Sequence, residues 1–480
     1  MWHGTLAQVR YSLNDVIRMA RDQSPFSKQA ETRKENRYWQ YRQYKSNYNP
    51  QLRLSGQTPN YREGYSLVTQ PSGQPIFQQY KGDESSFALS LDQPIFFTGG
   101  NVSIYSDLTR VYNHNFTKNK DTIQWGGQLY SVRITQPVFT FNQLRWDKKT
   151  EPLRYEESKR EFVEELESIS QQAANRFFSV LDAQIGLQIA EFNLANNDTI
   201  YKIEQGRYNI GTTTRDKLLQ AELQLLRSQQ DVTAAKIKLE NDKLSLRSYI
   251  GLREDASFEL VLPEEIPPLV IDKEEALRLA HTNRADFIAF ERRKLEAERE
   301  VAQARSQRFE MDVSASFGKY KQSNQLLEVY NPENPSEATQ VSTFISFNMP
   351  VVDWGRTRAR MRTAEANKRL NDYVIAQDEA LFDQEIITQV RQFEVLLSQI
   401  EITRKSDEVA QERYVVSQNR YLVGKIDITN LNIALTEKDA AKRSYLSALR
   451  EFWTAYYELR RLTLYDFSTN ELLYIPDGEE

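Results

Sequence analysis

Residues able to cut or transfer a bond are scarce in this chain. The histidines are His3, His114 and His281, no two within helical spacing, and there is no cysteine. A serine–histidine relay or a histidine-rich metal site has little to build on, and thiolate chemistry, disulfides and a lipidated cysteine are excluded. No G-x-x-x-x-G-K or G-x-G-x-x-G run is present, so phosphate cradles have no support. The 67 acidic residues singles out no catalytic pair, and they intersperse with 62 basic ones as solvated helix faces do. With a net charge of -5 there is no nucleic-acid footprint. The expectation is a protein with no catalytic residue, no cofactor and no metal.

The elements tell more. Charged residues make up 27% of the 480, hydrophobic ones 40%, and the mean hydropathy is -0.65. A compact globule of this size is normally more apolar, so much of the chain must be wetted, as in an elongated or hollow structure. No stretch approaches the roughly 18 apolar residues of a membrane-spanning helix. Transmembrane β-strands need only about 10 alternating residues and leave a far weaker trace. Residues 1–10 carry neither a basic n-region nor an apolar h-region, so no cleavable signal is expected there.

The chain repeats itself. Ser12-Leu-Asn-Asp-Val-Ile-Arg-Met-Ala20 resembles Asp272-Lys-Glu-Glu-Ala-Leu-Arg-Leu-Ala280, each opening on a capping residue with an acid three positions on. Arg207-Tyr208-x-x-Gly211 matches Arg420-Tyr421-x-x-Gly424, and Gln136-Pro137-Val138-Phe139 matches Met349-Pro350-Val351-Val352. The opening motifs stand 260 positions apart (12 to 272) but the later ones 213 (137 to 350, 211 to 424). The first repeat therefore carries 47 extra residues upstream of Pro137, including another proline motif, Gln93-Pro94-Ile95-Phe96-Phe97.

Each repeat reads as helix, strands, long helix, turn, helix. First helices are expected over about 12–48 and 272–308. Period-2 alternation then takes over: Phe87, Leu89, Leu91; Tyr130, Val132, Ile134; Val341, Thr343, Ile345, Phe347, although Phe344 interrupts the polar side. Further strands are expected near 52–54, 102–112 and 311–319. Such faces suit a half-buried sheet or a barrel with lipid outside and water inside, and aromatics at strand ends suit either a core or an interfacial girdle. Long helices are expected over 151–206, with Pro152 in the first turn, and over 357–420, roughly 84 and 96 Å at about 1.5 Å per residue. Their apolar positions step by three and four, as coiled-coil packing requires. Gly211 and Gly424 end them; Thr214 and Asp427 sit at cap positions for helices running to about 250 and 462.

The order and duplicated spacing of these motifs, with Pro350-Val351-Val352-Asp353-Trp354-Gly355-Arg356 at a strand-to-helix junction, resemble the TolC-type outer-membrane efflux protein family from Ser12 to about Leu462. That resemblance implies a mixed α+β membrane protein: a homotrimeric β-barrel in the outer membrane, continuous with a long antiparallel α-helical tunnel in the periplasm, with a small mixed equatorial belt. The repeats would span 12–251 (strands 49–142, helical hairpin 151–250) and 272–462 (strands 309–353, hairpin 357–462). The linker 252–271 and tail 463–480 would form the belt. The implied function is a passive exit duct of a tripartite efflux or type I secretion system, fed by an inner-membrane pump. A periplasmic adaptor (membrane-fusion) protein would dock at Arg207, Tyr208, Gly211, Arg420, Tyr421 and Gly424.

Two departures stand out. The family's best-known members narrow the pore with aspartates six and nine positions after the second hairpin glycine, where this chain has Asn430 and Ile433. Asp216 and Asp427, with Asn430, are the candidate constriction instead, against the simpler reading of helix cap and first-turn acid. Family members also contribute four strands per protomer, whereas the extra segment predicts six, with the 60–86 stretch as a polar extracellular loop. The competing arrangement leaves the extra hairpin outside the wall. A secreted coiled-coil scaffold or adhesin without a pore is the rival function; it accounts for the helices but not for strands inserted at matching places.

Overall fold

The computed structural model describes residues 9–115, 120–252, 258–263, 266, 269–331, 333 and 335–474. In chain order the elements are β1 (Val9–Tyr11), α1 (Leu13–Gln23), α2 (Pro25–Ser46), β2 (Gln51–Thr69), β3 (Pro75–Ile95), β4 (Gly100–Asn115), β5 (Lys120–Val138), α3 (Gln143–Asn209) and α4 (Arg215–Ile250). There follow β6 (Phe258–Leu260), α5 (Lys273–Asn283), α6 (Ala285–Ser306), β7 (Glu310–Ser323), α7 (Leu326–Tyr330), β8 (Ala338–Asn348), α8 (Arg356–Leu422), α9 (Ile428–Thr463), β9 (Tyr465–Asp466) and β10 (Glu471–Leu472). The chain divides into two units: residues 1–37, 156–289 and 376–480, and residues 38–155 with 290–375.

In the first unit, the expected opening helix is two. Ser24 precedes Pro25, whose ring pushes it to extended backbone (ψ 148), and its hydroxyl accepts from Ser27 N at 3.0 Å to start α2 afresh. The counterpart breaks at Arg284, where Glu164 of α3 accepts Ala285 N at 2.9 Å and caps α6 from another helix. Burial pushes the Glu164 carboxyl up to about 7, more than its bond to Ala285 N and the nearby Arg284 charge can offset. The main core joins α1, α3, α4, α5, α8 and α9 around Phe177, Phe178, Leu246, Ile386, Phe393 and Phe452. Residues of the expected linker pair in parallel with the start of the chain, Phe258 opposite Val9. Those of the tail form the small β9–β10 pair. Ala256, Pro267, Pro268 and Ile475 onward lie outside the described residues. Arg460 anchors the tail: its guanidinium meets Glu167 at 2.8 and 3.2 Å and also Asp466, with Glu167 wholly buried.

The second unit is built on one antiparallel meander, β2-β3-β4-β5-β7-β8. The expected polar loop over 60–86 is corrected here. Residues 60–69 and 75–86 are strand, paired from Asn60 opposite Glu84 to Thr69 opposite Pro75, and only 70–74 turn. Polar side chains do not prevent a strand when the partner backbone supplies its hydrogen bonds. The expected start of the first long helix is also corrected. Asn142 accepts Arg145 N at 3.1 Å and opens α3 at Gln143, so Pro152 lies well inside a 67-residue helix. The second long helix likewise has 67 residues, and Asp353 starts it by accepting Thr357 N at 2.8 Å and Gly355 N at 3.0 Å. Gly355 itself sits at φ 86, a left-handed backbone that glycine adopts without strain.

Candidate functional site

Two surfaces can do something beyond holding the fold: the helical hairpin tips of the first unit and the sheet of the second.

At the tips both expected glycines are left-handed, Gly211 at φ 75 and Gly424 at φ 72. Each sits in the same double hydrogen bond. Thr212 N reaches Arg207 O at 2.8 Å and Gly211 N reaches Tyr208 O at 2.9 Å; Lys425 N reaches Arg420 O and Gly424 N reaches Tyr421 O at the same distances. The side chains do not share this equivalence. Tyr421 is buried (1% exposed) whereas Tyr208 is 40% exposed, and Arg420 points to solvent while Arg207 is held. Arg207 lies over the Tyr421 ring at 5.2 Å, donates to Glu204 Oε1 at 2.9 Å, and approaches Tyr421 O at 3.5 Å. Tyr421 Oη donates to the same Glu204 oxygen at 2.7 Å. Burial pushes the Glu204 carboxyl up, but hydrogen bonds from Tyr421, Thr213 and Arg207 and the Arg207 charge outweigh it and hold it below its usual range.

Asp216, Asp427 and Asn430 are all exposed. Asp427 caps α9, accepting Asn430 N at 3.0 Å and Asn430 Nδ2 at 2.9 Å, while Thr214 occupies the cap position of α4 without a side-chain bond. Sequence reasoning passed over Glu204, and also Ile210 and Val423, which stand 213 positions apart just before the two glycines and are 75% and 68% exposed. A repeat-to-repeat comparison of apolar turn residues would have found the latter pair. Of the described histidines, His281 pairs with Asp383 at 2.6 Å and stacks on Phe287, and His114 pairs with Asp121; His3 lies outside the described residues.

In the sheet, directly opposed residues fall on the same face. One row runs Leu52, Leu91, Ile104, Val132, Phe317, Val341 through all six strands. The next runs Gln51, Asp92, Ser103, Arg133, Ser316, Ser342 on the opposite face. The apolar face is unburied: Leu54, Val341 and Phe347 are 75, 69 and 72% exposed. The polar face is cross-linked, Ser103 to Asp92 at 2.5 Å and Ser316 with Ser342 at 2.7 Å. Among the described residues no helix is long and apolar enough to cross a membrane.

A profile of the family described as outer membrane efflux protein matches residues 101–252 and 276–463, well over half of the chain. The chain belongs to the outer membrane efflux protein family. Members are outer membrane channels of efflux and transport, as the proline and hairpin motifs implied. The fold of this efflux protein is similar to that of the Campylobacter jejuni CmeC outer membrane channel (TM-score 0.67, 14% identity, 97% of this chain and 87% of that one). It is also similar to the outer membrane protein VceC from Vibrio cholerae (0.64, 16%, 95% and 96%). A third likeness is to the open state of the Neisseria gonorrhoeae MtrE outer membrane channel (0.60, 16%, 94% and 88%). No curated protein matches by sequence. In this efflux protein, then, the strands and hairpins belong to a chain of the outer membrane channel family.

Proposed function

We propose that three copies of this chain close one β-barrel in the outer membrane above a periplasmic helical tunnel, forming a passive exit duct fed by an inner-membrane pump. The observation that carries the reading is the six-strand apolar row left unburied opposite a hydrogen-bonded polar row. In water such a face costs roughly 25 cal/mol per Å² of apolar surface, and lipid removes that cost. Among the described residues the outer edges of β2 and β8 have no partner in the sheet order, and an open edge in a membrane leaves unmet N–H and C=O groups. Joining β8 of one copy to β2 of the next removes every edge.

The helices favour the same head-to-tail contact. On α8 Leu381, Val395, Ile402, Val409 and Val416 stand at multiples of seven residues, with Thr388 at the intervening position, and all five are more than half exposed. On α4 Leu219 with Leu226, and Leu223 with Ile237 and Leu244, stand at multiples of seven and form a second unburied stripe on two heptad positions. Two different stripes pairing between copies would make a heterologous contact, which closes a ring where the rotation between copies allows. Three is the copy number the family resemblance implies.

The two repeats, 12–251 and 272–462, each contribute one hairpin tip, and the 252–271 linker with the 463–480 tail serve as the belt between them. Arg207, Tyr208, Gly211, Arg420, Tyr421 and Gly424 form the adaptor-docking turns, where Ile210 and Val423 offer paired apolar contacts. Asp216, Asp427 and Asn430 line the constriction. A scaffold without a pore has no use for the apolar sheet face. Purification in detergent, mass measurement and planar-bilayer recording test the duct: trimers giving discrete conductance steps support it, and a detergent-independent monomer without conductance overturns it.

A further inference from the structure

The 47 extra residues of the first repeat can be placed. Helices α2 and α6 end 260 positions apart (Ser46 and Ser306), whereas α3 and α8 begin 213 apart (Gln143 and Arg356). The surplus therefore lies between residues 46 and 143, where β4 and β5 are the counterparts of β7 and β8. What remains is the hairpin β2–β3. The family profile points to the same segment: in the second repeat it matches from residue 276, inside the first helix, but in the first repeat only from residue 101, at the start of β4.

This hairpin is part of the wall. Strand β3 pairs with β4 without interruption from Lys81 opposite His114 to Ile95 opposite Gly100. At Gly82 a β-carbon would collide with Tyr112 O, so the two backbones approach more closely than a side chain allows. The hairpin also keeps the register of faces: Leu52, Leu54, Leu89 and Leu91 share the apolar side, while Gln51, Arg53, Ser90 and Asp92 share the polar one. A hairpin folded away outside a four-stranded wall would leave β4 as the edge, and here β4 has partners on both sides.

We propose that each protomer contributes six strands, that the trimer closes as an eighteen-stranded barrel, and that this mouth admits solutes too wide for a twelve-stranded one. The inference rests on the duct reading above. With strands about 4.8 Å apart and tilted about 40°, the backbone diameter rises from about 24 Å at twelve strands to about 36 Å at eighteen. The cross-section roughly doubles. The barrel then sets no size limit for cargo that can pass the helical hairpin tips, and the tips alone select by size.

The test uses the full chain in lipid nanodiscs and planar bilayers. Electron cryomicroscopy counts the strands, and polyethylene glycols of graded size added on the barrel side report the mouth width by lowering conductance. Eighteen strands, with polymers about 20 Å across entering from the barrel side but not from the tip side, is the expected result. Twelve strands with residues 51–95 outside the wall, or exclusion of those polymers from the barrel side, overturns the proposal and leaves the duct standing. Absence of any barrel sinks both.

Discussion

Tyr421 Oη donates to Glu204 Oε1 across 2.7 Å, joining the end of α8 to the end of α3 over 217 residues of sequence. Arg207 closes the triangle by bonding Glu204 and lying on the Tyr421 ring. The two hairpins of a protomer are thus tied at their tips by charge-assisted bonds, each worth about 1.5–3 kcal/mol.

Cutting that tie should loosen the tip. Tyr421→Phe and Glu204→Gln are expected to raise single-channel conductance several-fold in planar bilayers, with trimer mass unchanged. Conductance equal to the parent protein in both variants would remove the tie from any role in closure.

The same tie gives a pH dependence. Because the folded Glu204 carboxyl lies below its ordinary value, its stabilisation is fully present above that ordinary value, about 4.3, and is lost as pH falls through the depressed one. Conductance should stay level above that ordinary value and climb only as pH falls below it. The Glu204→Gln variant should lack the climb.

Glu164 predicts the opposite slope. Its folded value, about 7, exceeds the unfolded one, so its contribution is lost as pH rises between the two. Glu164→Gln keeps an oxygen for Ala285 N without the buried charge. The variant should melt alongside the parent at pH 5 and a few degrees higher at pH 8, by thermal unfolding in detergent.

The two sheet faces should respond unequally to charge. Val132→Arg, in the apolar row, is expected to cost about 2–4 kcal/mol if that row meets lipid, seen as reduced insertion into vesicles. Ser316→Arg, in the polar row, should insert normally and alter ion selectivity instead. Equal insertion of both would deny lipid to the apolar face.

Asp427 is separable from its capping duty, since asparagine caps a helix as well as aspartate, and Asp216 is an exposed first-turn acid behind the Thr214 cap. The double change Asp216→Asn, Asp427→Asn should therefore leave thermal stability within about 0.5 kcal/mol and lower the cation preference of the channel. Unchanged reversal potentials across a salt gradient would reduce both acids to helix termini.

Local patterns carried a large share of this protein. The duplication, the hairpin glycines, the long coiled-coil helices and the alternation at 87–91, 130–134 and 341–347 all follow from side-chain spacing along one segment, where period and backbone freedom are set by neighbours in sequence. The cap at Asn142 and the break at Ser24 were missed although their signals are local: an Asn before a helix and a residue before proline.

What only the tertiary structure decided depends on partners far apart in the chain. The 60–86 segment is mostly polar, with apolar residues only near its turn (Leu67, Val68, Ile76, Phe77), and its pairing is visible only once each strand faces the other. The row from Leu52 to Val341 exists only in register, because a slip of one residue would exchange the faces. Glu204 became a tip residue when Tyr421 arrived beside it from 217 positions away. Sequence spacing determined the repeat, the long helices and their turns; the outer half of the β2–β3 hairpin, and the register and meeting of the elements, were decided by hydrogen-bond pairing and burial between segments far apart in the chain.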